Sequence, residues 1–234
     1  MNIQLSDIIT SLERVKREFL EIASVILIFS ILGYFLSKDI QFQLELLVGD
    51  KLAYFSPQEP FLTILKISFL TGLFFSFPSI FYKVWSFISG KYGFKKGLTS
   101  LAVVGGAVIL FLSGAALCYW AVLPFGIKFL IGYGTEDMIP YISIGKYVNF
   151  CGGMILAFGL SFELPLVMLI LSKVGIVTST ILITYRKYAI LLITIISAII
   201  TPTPDAYSMM LMTVPLVILY EVSILLVKIF GKRN

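Results

Sequence analysis

Six apolar runs, separated by short charged clusters, set the pattern of this chain. The first extends from Phe19 to Leu36 and is interrupted near its start by Glu21. The others cover 61–87, 98–123, 147–171, 188–200 and 207–227. Runs of about 20 apolar residues match the thickness of a bilayer core when they are helical. The pattern predicts an all-α, polytopic membrane protein with six transmembrane helices in a single domain over residues 1–234. The fifth run has only 13 residues. As a helix it reaches roughly 20 Å, against a bilayer core of about 30 Å. It must thin the bilayer, borrow flanking residues or fold back with the sixth run as a re-entrant hairpin.

The segments between the runs carry their own signals. Asp7 to Glu21 reads as a helix rich in both charge signs, and Ile40 to Val48 as an amphipathic helix at the membrane surface. The first run is longer than a signal-peptide core, and no small-residue cleavage pattern follows it, so a retained helix is expected. In Thr201-Pro202-Thr203-Pro204-Asp205 the prolines cannot continue the fifth helix, and Asp205 is placed to cap the sixth.

Charge settles the expected orientation. If the N-terminus is cytoplasmic, 13 of the 18 Lys and Arg residues fall on cytoplasmic segments. The positive-inside rule then puts both termini in the cytoplasm. The chain is 59% hydrophobic and only 13% charged, whereas a soluble domain carries about 25% charge. The net charge of +5 is spread through short clusters without a basic, aromatic-rich face, so no nucleic-acid partner is implied. There is no histidine, no Walker motif and no GxGxxG. Ser-His-Asp catalysis, zinc-protease chemistry and nucleotide hydrolysis are therefore not expected. Cys118 and Cys151 lie in or beside apolar runs and read as packing residues, not metal ligands. Neither a cofactor nor a metal is implied, and no catalytic residue is expected.

Glu163 is the main candidate for function. It sits within the fourth run, in Phe158-Gly159-Leu160-Ser161-Phe162-Glu163-Leu164-Pro165. A charged side chain at such depth costs roughly 2.5–3.5 kcal/mol on insertion scales. Two readings are open: a polar site on a water-accessible concave face, or a neutral carboxyl bonded to a neighbouring helix. Pro165 removes the bond to the carbonyl of residue 161 and lets the helix bend. Glu221, after Tyr220, is either functional or snorkelling and paired with a tail lysine. Lys66 is expected to snorkel outward.

At these residues the sequence resembles the TatC family, the core subunit of the twin-arginine protein translocase. The stretch Phe158 to Pro165 is similar to the family's FGxxFExP motif. Thr201 to Asp205, with Ser208, is similar to its TP(T)PDxxS turn. Supporting pieces are Ser56 to Phe61, Pro78 to Trp85 with Phe87, Leu123-Pro124-Phe125, Arg186-Lys187-Tyr188 and Leu219-Tyr220-Glu221.

The resemblance implies six helices in a cupped bundle whose last two are short. It also implies a task, receiving twin-arginine signal peptides and supporting passage of folded proteins, driven by the proton-motive force. TatA- and TatB-type single-span proteins are the implied partners, in an oligomer within the cytoplasmic (inner) membrane. Pro165, Pro204, Asp205, Tyr220 and Glu221 are the implied structural or partner contacts. Family members bind the arginine pair through two cytoplasmic carboxylates. One corresponds to Glu13, four residues before Arg17. At the other position this chain has Lys95, three residues after Tyr92. A lysine there repels an arginine pair.

The competing readings are a small secondary transporter or channel using Glu163 as an ion or proton site, an intramembrane enzyme, and a purely structural subunit. The first lacks internal repeats, and the second lacks a histidine or a partner aspartate for Asp205.

Overall fold

The structure is a computed structural model. It describes residues 5–49, 52–93, 97–132, 141–200 and 206–231, with backbone only for 5–15, 130, 200, 207 and 208. Every regular element among them is helical, apart from one isolated parallel bridge between Ala53 and Ser143.

The first helix, α1 (Leu5–Val48), is unbroken for 44 residues. It unites the charged stretch, the first apolar run and the surface segment, which the sequence pattern separated. The physical reason is the lack of any breaker: no proline occurs in it, and its one glycine, Gly33, faces α2 (Glu59–Tyr92). A Cβ on Gly33 would lie 2.8 Å from the Thr71 Cβ, and one on Gly72 would lie 2.0 Å from Ser30 Oγ. Small residues thus bring the two backbones together without a hydrophobic driving force. Gly49, at φ 80°, ends α1 in a left-handed turn, as Gly93 at φ 68° ends α2.

The third span comprises α3 (Leu98–Leu117), a π-helical turn at Cys118–Val122, and α4 (Leu123–Gly132). Pro124 lies just beyond the π turn. Its ring and missing N–H disturb the regular ladder, and one wide turn absorbs the mismatch. The fourth span is α5 (Ile144–Phe162) followed by α6 (Leu164–Val174), with a break at Glu163 and Pro165 in the first turn of α6. Gly175 closes α6, its N–H bonding Ser172 and that of Ile176 bonding Leu171.

A short helix, α7 (Ser179–Thr184), leads into α8 (Arg186–Ile200) and then α9 (Ala206–Phe230). Five spans are long and apolar enough to cross a membrane among the described residues. The remaining one, α8, has 15 residues and is short, as expected. The sixth span departs from expectation: α9 has 25 residues, about 38 Å, and is long enough to cross.

The core centres on α5. Val148, Cys151, Met154 and Phe158 pack against Cys118, Val122 and Leu123, and the same cluster continues to Met212 and Tyr220 of α9. A smaller cluster forms around Phe77 and Phe111, whose rings stack 4.0 Å apart. Long apolar side chains cover the outside, among them Phe35, Leu101, Ile109, Ile199 and Ile229. Such a surface is stable in lipid, not in water.

A backbone clamp marks one end of the bundle. There Ala53 N–H bonds the Ile142 carbonyl at 3.0 Å, and Ile144 N–H bonds the Ala53 carbonyl at 2.9 Å. This ties the α1–α2 connection to the segment before α5. At the opposite end lie the first third of α1, the close of α2, the close of α6 and the close of α9.

Candidate functional site

Four groups of polar side chains stand out from this apolar frame. The first lies at the end of the bundle that holds the start of α1. Glu21 of α1 receives Arg17 Nε at 3.0 Å on Oε1 and Lys83 Nζ of α2 at 2.6 Å on Oε2. Its side chain stays about half exposed. A cavity of about 330 Å³ opens beside it, lined by Lys16, Arg17, Leu20, Glu21 and Ser24. The side chain of Glu13 and all of Lys95 lie outside the described residues. The linked pair Glu21–Lys83 escaped the sequence reading. Its members are 62 residues apart, and only the α1–α2 contact brings them together.

The second group is Glu163. It caps α5 and begins α6, with φ −72° and ψ −14°. Pro165, two residues on, is buried in the first turn of α6. The chain bends there, as the proline predicted. The side chain is 5% exposed, and neither carboxylate oxygen has a hydrogen-bond partner among the described residues. The backbone N–H of Phe111 faces it, but Phe111 lies inside α3 and its N–H is committed to that helix. Close packing encloses the site. A Cβ on Gly114 would meet the Phe158 carbonyl at 2.6 Å, and one on Gly159 would meet the Phe111 ring at 2.7 Å. Glu163 is therefore buried between α3 and the α5–α6 break, rather than open on a concave face or bonded to a neighbouring helix. Buried polar atoms without partners are rare and call for a donor.

A larger groove lies elsewhere. It has a volume of about 710 Å³ and runs between α1, α2, α3 with its π turn, and α5, past Leu36, Ile67, Phe75, Trp120 and Ile155. This is the hollow of the cup. Its walls are almost wholly apolar, with Asp39 and Gln43 toward one end.

The third group fastens α7 and α8 to α9. The Tyr220 hydroxyl donates to the Leu182 carbonyl at 2.8 Å. Arg186 Nε lies 2.6 Å from Glu221 Oε1, with the N–H turned off the line to that oxygen, so this is an ion pair without a well-directed hydrogen bond. Among the described residues, Glu221 therefore pairs with Arg186. Pro204 and Asp205 lie outside the described residues.

The opposite end holds a polar clamp that sequence reasoning did not find. Glu59 opens α2. Its Oε2 accepts the Phe55 N–H at 2.8 Å, and its Oε1 accepts the Gly145 N–H at 3.1 Å and the Ser143 hydroxyl. Ser143 in turn caps α5 through the Lys146 N–H. No local signal links Glu59 to a serine 84 residues away. Among the described residues no group of His, Cys, Asp and Glu could hold a metal ion.

Cupped spans, a buried intramembrane carboxylate and a charged rim define a six-span α-helical membrane protein. The protein-family model for Sec-independent protein translocase protein (TatC) matches residues 10–215. The chain belongs to the TatC family and is a component of a Sec-independent protein translocase.

Relatives extend over most of its length. The Sec-independent protein translocase protein TatC of Carboxydothermus hydrogenoformans is 37% identical over 184 residues, covering 79% of this chain and 76% of that protein. The TatC of Helicobacter pylori strain J99 is 43% identical over 174 residues, 74% of this chain and 69% of that one. The TatCy protein of Bacillus subtilis is 31% identical over 232 residues, covering 97% and 91%. A crystal structure of the twin-arginine translocase receptor TatC superposes with a TM-score of 0.83 at 33% identity, covering 93% of this chain and 98% of that one. These likenesses give no support to a secondary transporter or channel.

Proposed function

We propose that this chain is the receptor and core subunit of a twin-arginine translocase. In this reading it binds signal peptides carrying two adjacent arginines and supports passage of the folded cargo, driven by the proton-motive force. The observation that carries the reading is the full-length likeness to the twin-arginine translocase receptor. Both termini face the cytoplasm of a cell with an inner membrane. The positive-inside rule favours that orientation, because Lys16, Arg17, Lys83, Lys91, Lys173, Arg186, Lys187 and Lys228 all fall on one side of the six crossings.

Glu13, four residues before Arg17, is one receiving carboxylate for the arginine pair. A guanidinium and a carboxylate form two parallel charge-assisted bonds, which a lysine cannot reproduce. Glu163 is an intramembrane contact for TatA- or TatB-type single-span proteins within an oligomer. A donor carried by a partner's helix would satisfy the oxygens that this chain leaves unpartnered, once α3 and the α5–α6 break part to admit it. Pro165 positions Glu163 at the break. Tyr220 and Glu221 hold α7 and α8 against α9, and Pro204 and Asp205 are structural or partner contacts, as the family resemblance implies.

Complementation tests the reading. In a cell lacking its own TatC, this chain is expected to restore export of a folded reporter bearing a twin-arginine signal, and not of one bearing two lysines. Correct membrane insertion without any export of the arginine reporter would overturn it.

A further inference from the structure

The ion-paired Glu21 is difficult to explain as a structural pin. The helices it links are already locked along their length by the close approaches at Gly33 and Gly72. An exposed ion pair adds little to such a contact. Its geometry is better suited to exchange.

Each cation uses one carboxylate oxygen: Arg17 bonds Oε1, Lys83 bonds Oε2. A carboxylate offers about four lone-pair sites, so each oxygen can accept a further donor. Lys83 gives Glu21 a single ammonium contact from α2. An incoming guanidinium brings a planar fork that engages both oxygens together. Lys83 stays tethered to α2 when displaced, so an incoming arginine adds to the local positive charge, and the second bond of its fork must offset that repulsion. The cavity beside Glu21 gives the newcomer a place from which to attack. Glu13 and Glu21 are eight residues apart on α1, on the order of 12 Å along its axis. Adjacent side chains of an extended peptide point to opposite faces, so two neighbouring arginines can reach separate carboxylates.

We infer that Glu21 is a second docking carboxylate for the signal peptide's arginine pair, and that Lys83 masks it until a guanidinium displaces the ammonium. The inference rests on the receptor reading above. It makes Lys83 a negative determinant of affinity, whereas a structural pin would make it neutral or supportive.

The test measures binding of a fluorescent twin-arginine peptide, and of its twin-lysine counterpart, to the full chain in lipid nanodiscs. Lys83→Gln is expected to tighten arginine-peptide binding roughly two- to fivefold, the range set by removing one exposed ion pair. Lys83→Arg keeps the α1–α2 pair but masks more strongly, and is expected to weaken binding. In a Glu21→Gln background neither substitution should change affinity. The Lys83→Arg variant retains the link between the helices, so its effect is readable even if Glu21→Gln loosens the fold. If the wild type prefers arginine over lysine but Lys83→Gln leaves affinity unchanged or lowers it, the inference is overturned and the receptor reading stands. If the wild type binds both peptides alike, both are overturned.

Discussion

Removing one oxygen from Tyr220 tests how α7 is held. The substitution Tyr220→Phe keeps the ring, which is 3% exposed, and deletes only the hydroxyl that donates to the Leu182 carbonyl at 2.8 Å. Leu182 lies in the last turn of a six-residue helix, where carbonyls run out of intrahelical partners. A helix so short does not persist by itself. Its order depends on the buried Leu182 side chain and on this bond. A buried hydrogen bond contributes about 0.5–1.5 kcal/mol net, and stranding its acceptor raises the cost to about 1–3 kcal/mol.

That is roughly a 5- to 150-fold rise in the local opening of α7. Amide hydrogen exchange in nanodiscs reads it directly, at residues 182–185. The paired control is Tyr147→Phe, which deletes a bond of 2.9 Å to the Leu44 carbonyl. Leu44 has a full turn of α1 after it, so its carbonyl keeps its helix partner. The cost there should stay near 0.5–1.5 kcal/mol. Exchange in α7 that is unchanged in Tyr220→Phe, or changed no more than near Leu44 in the control, would refute the reasoning.

Other outcomes follow from the same geometry. Gly72→Ala places a methyl 2.0 Å from Ser30 Oγ and 2.8 Å from the Ile26 carbonyl. Because backbone is involved, α1 and α2 must part, at a cost of about 1–3 kcal/mol; an unchanged thermal midpoint in detergent would refute this. Glu163→Gln keeps the shape of an unpartnered carboxyl and should leave insertion and thermal stability intact while abolishing export of a folded reporter. Full export in that variant would remove Glu163 from the partner contact. Glu13→Gln is expected to weaken binding of a twin-arginine peptide, and Lys95→Glu to tighten it by replacing repulsion with attraction. A crosslinking titration showing no loss with the first and no gain with the second would count against both assignments.

The spans were legible because a bilayer imposes a length on apolar runs, and each run lies within a helix, although α1 extends well beyond both ends of its run and the third span continues to Gly132. The continuity of α1 was legible in principle, since no proline interrupts 5–48, but changes in charge were read as changes in element. Backbone hydrogen bonding ignores such changes. The position of Glu163 was clear because intramembrane carboxylates are rare. Its missing partners were not, because they depend on how closely Gly114 and Gly159 let α3 and α5 approach. Glu59 with Ser143, Glu21 with Lys83, and Glu221 with Arg186 join distant parts of the chain. No periodicity reports such pairs. The length of α9 was understated because the residues flanking its apolar run, including Ala206 and Lys228, are also helical.

The continuity of α1 has a mechanical consequence. Its last turns are fixed where Tyr147 grips the Leu44 carbonyl and the strap at Ala53 fastens the following segment. Its first turns lie about 58 Å away along the same rod, counted from Leu5 to Leu44. Packed on α2 through Gly33 and Gly72 and paired to it at Glu21, the rod does not tilt alone, so α1 and α2 form one lever. A tilt of about 5° at the anchored end would sweep the far tip through about 5 Å, simply from that length. A rearrangement near the anchor would therefore be magnified at the charged end without any joint in between.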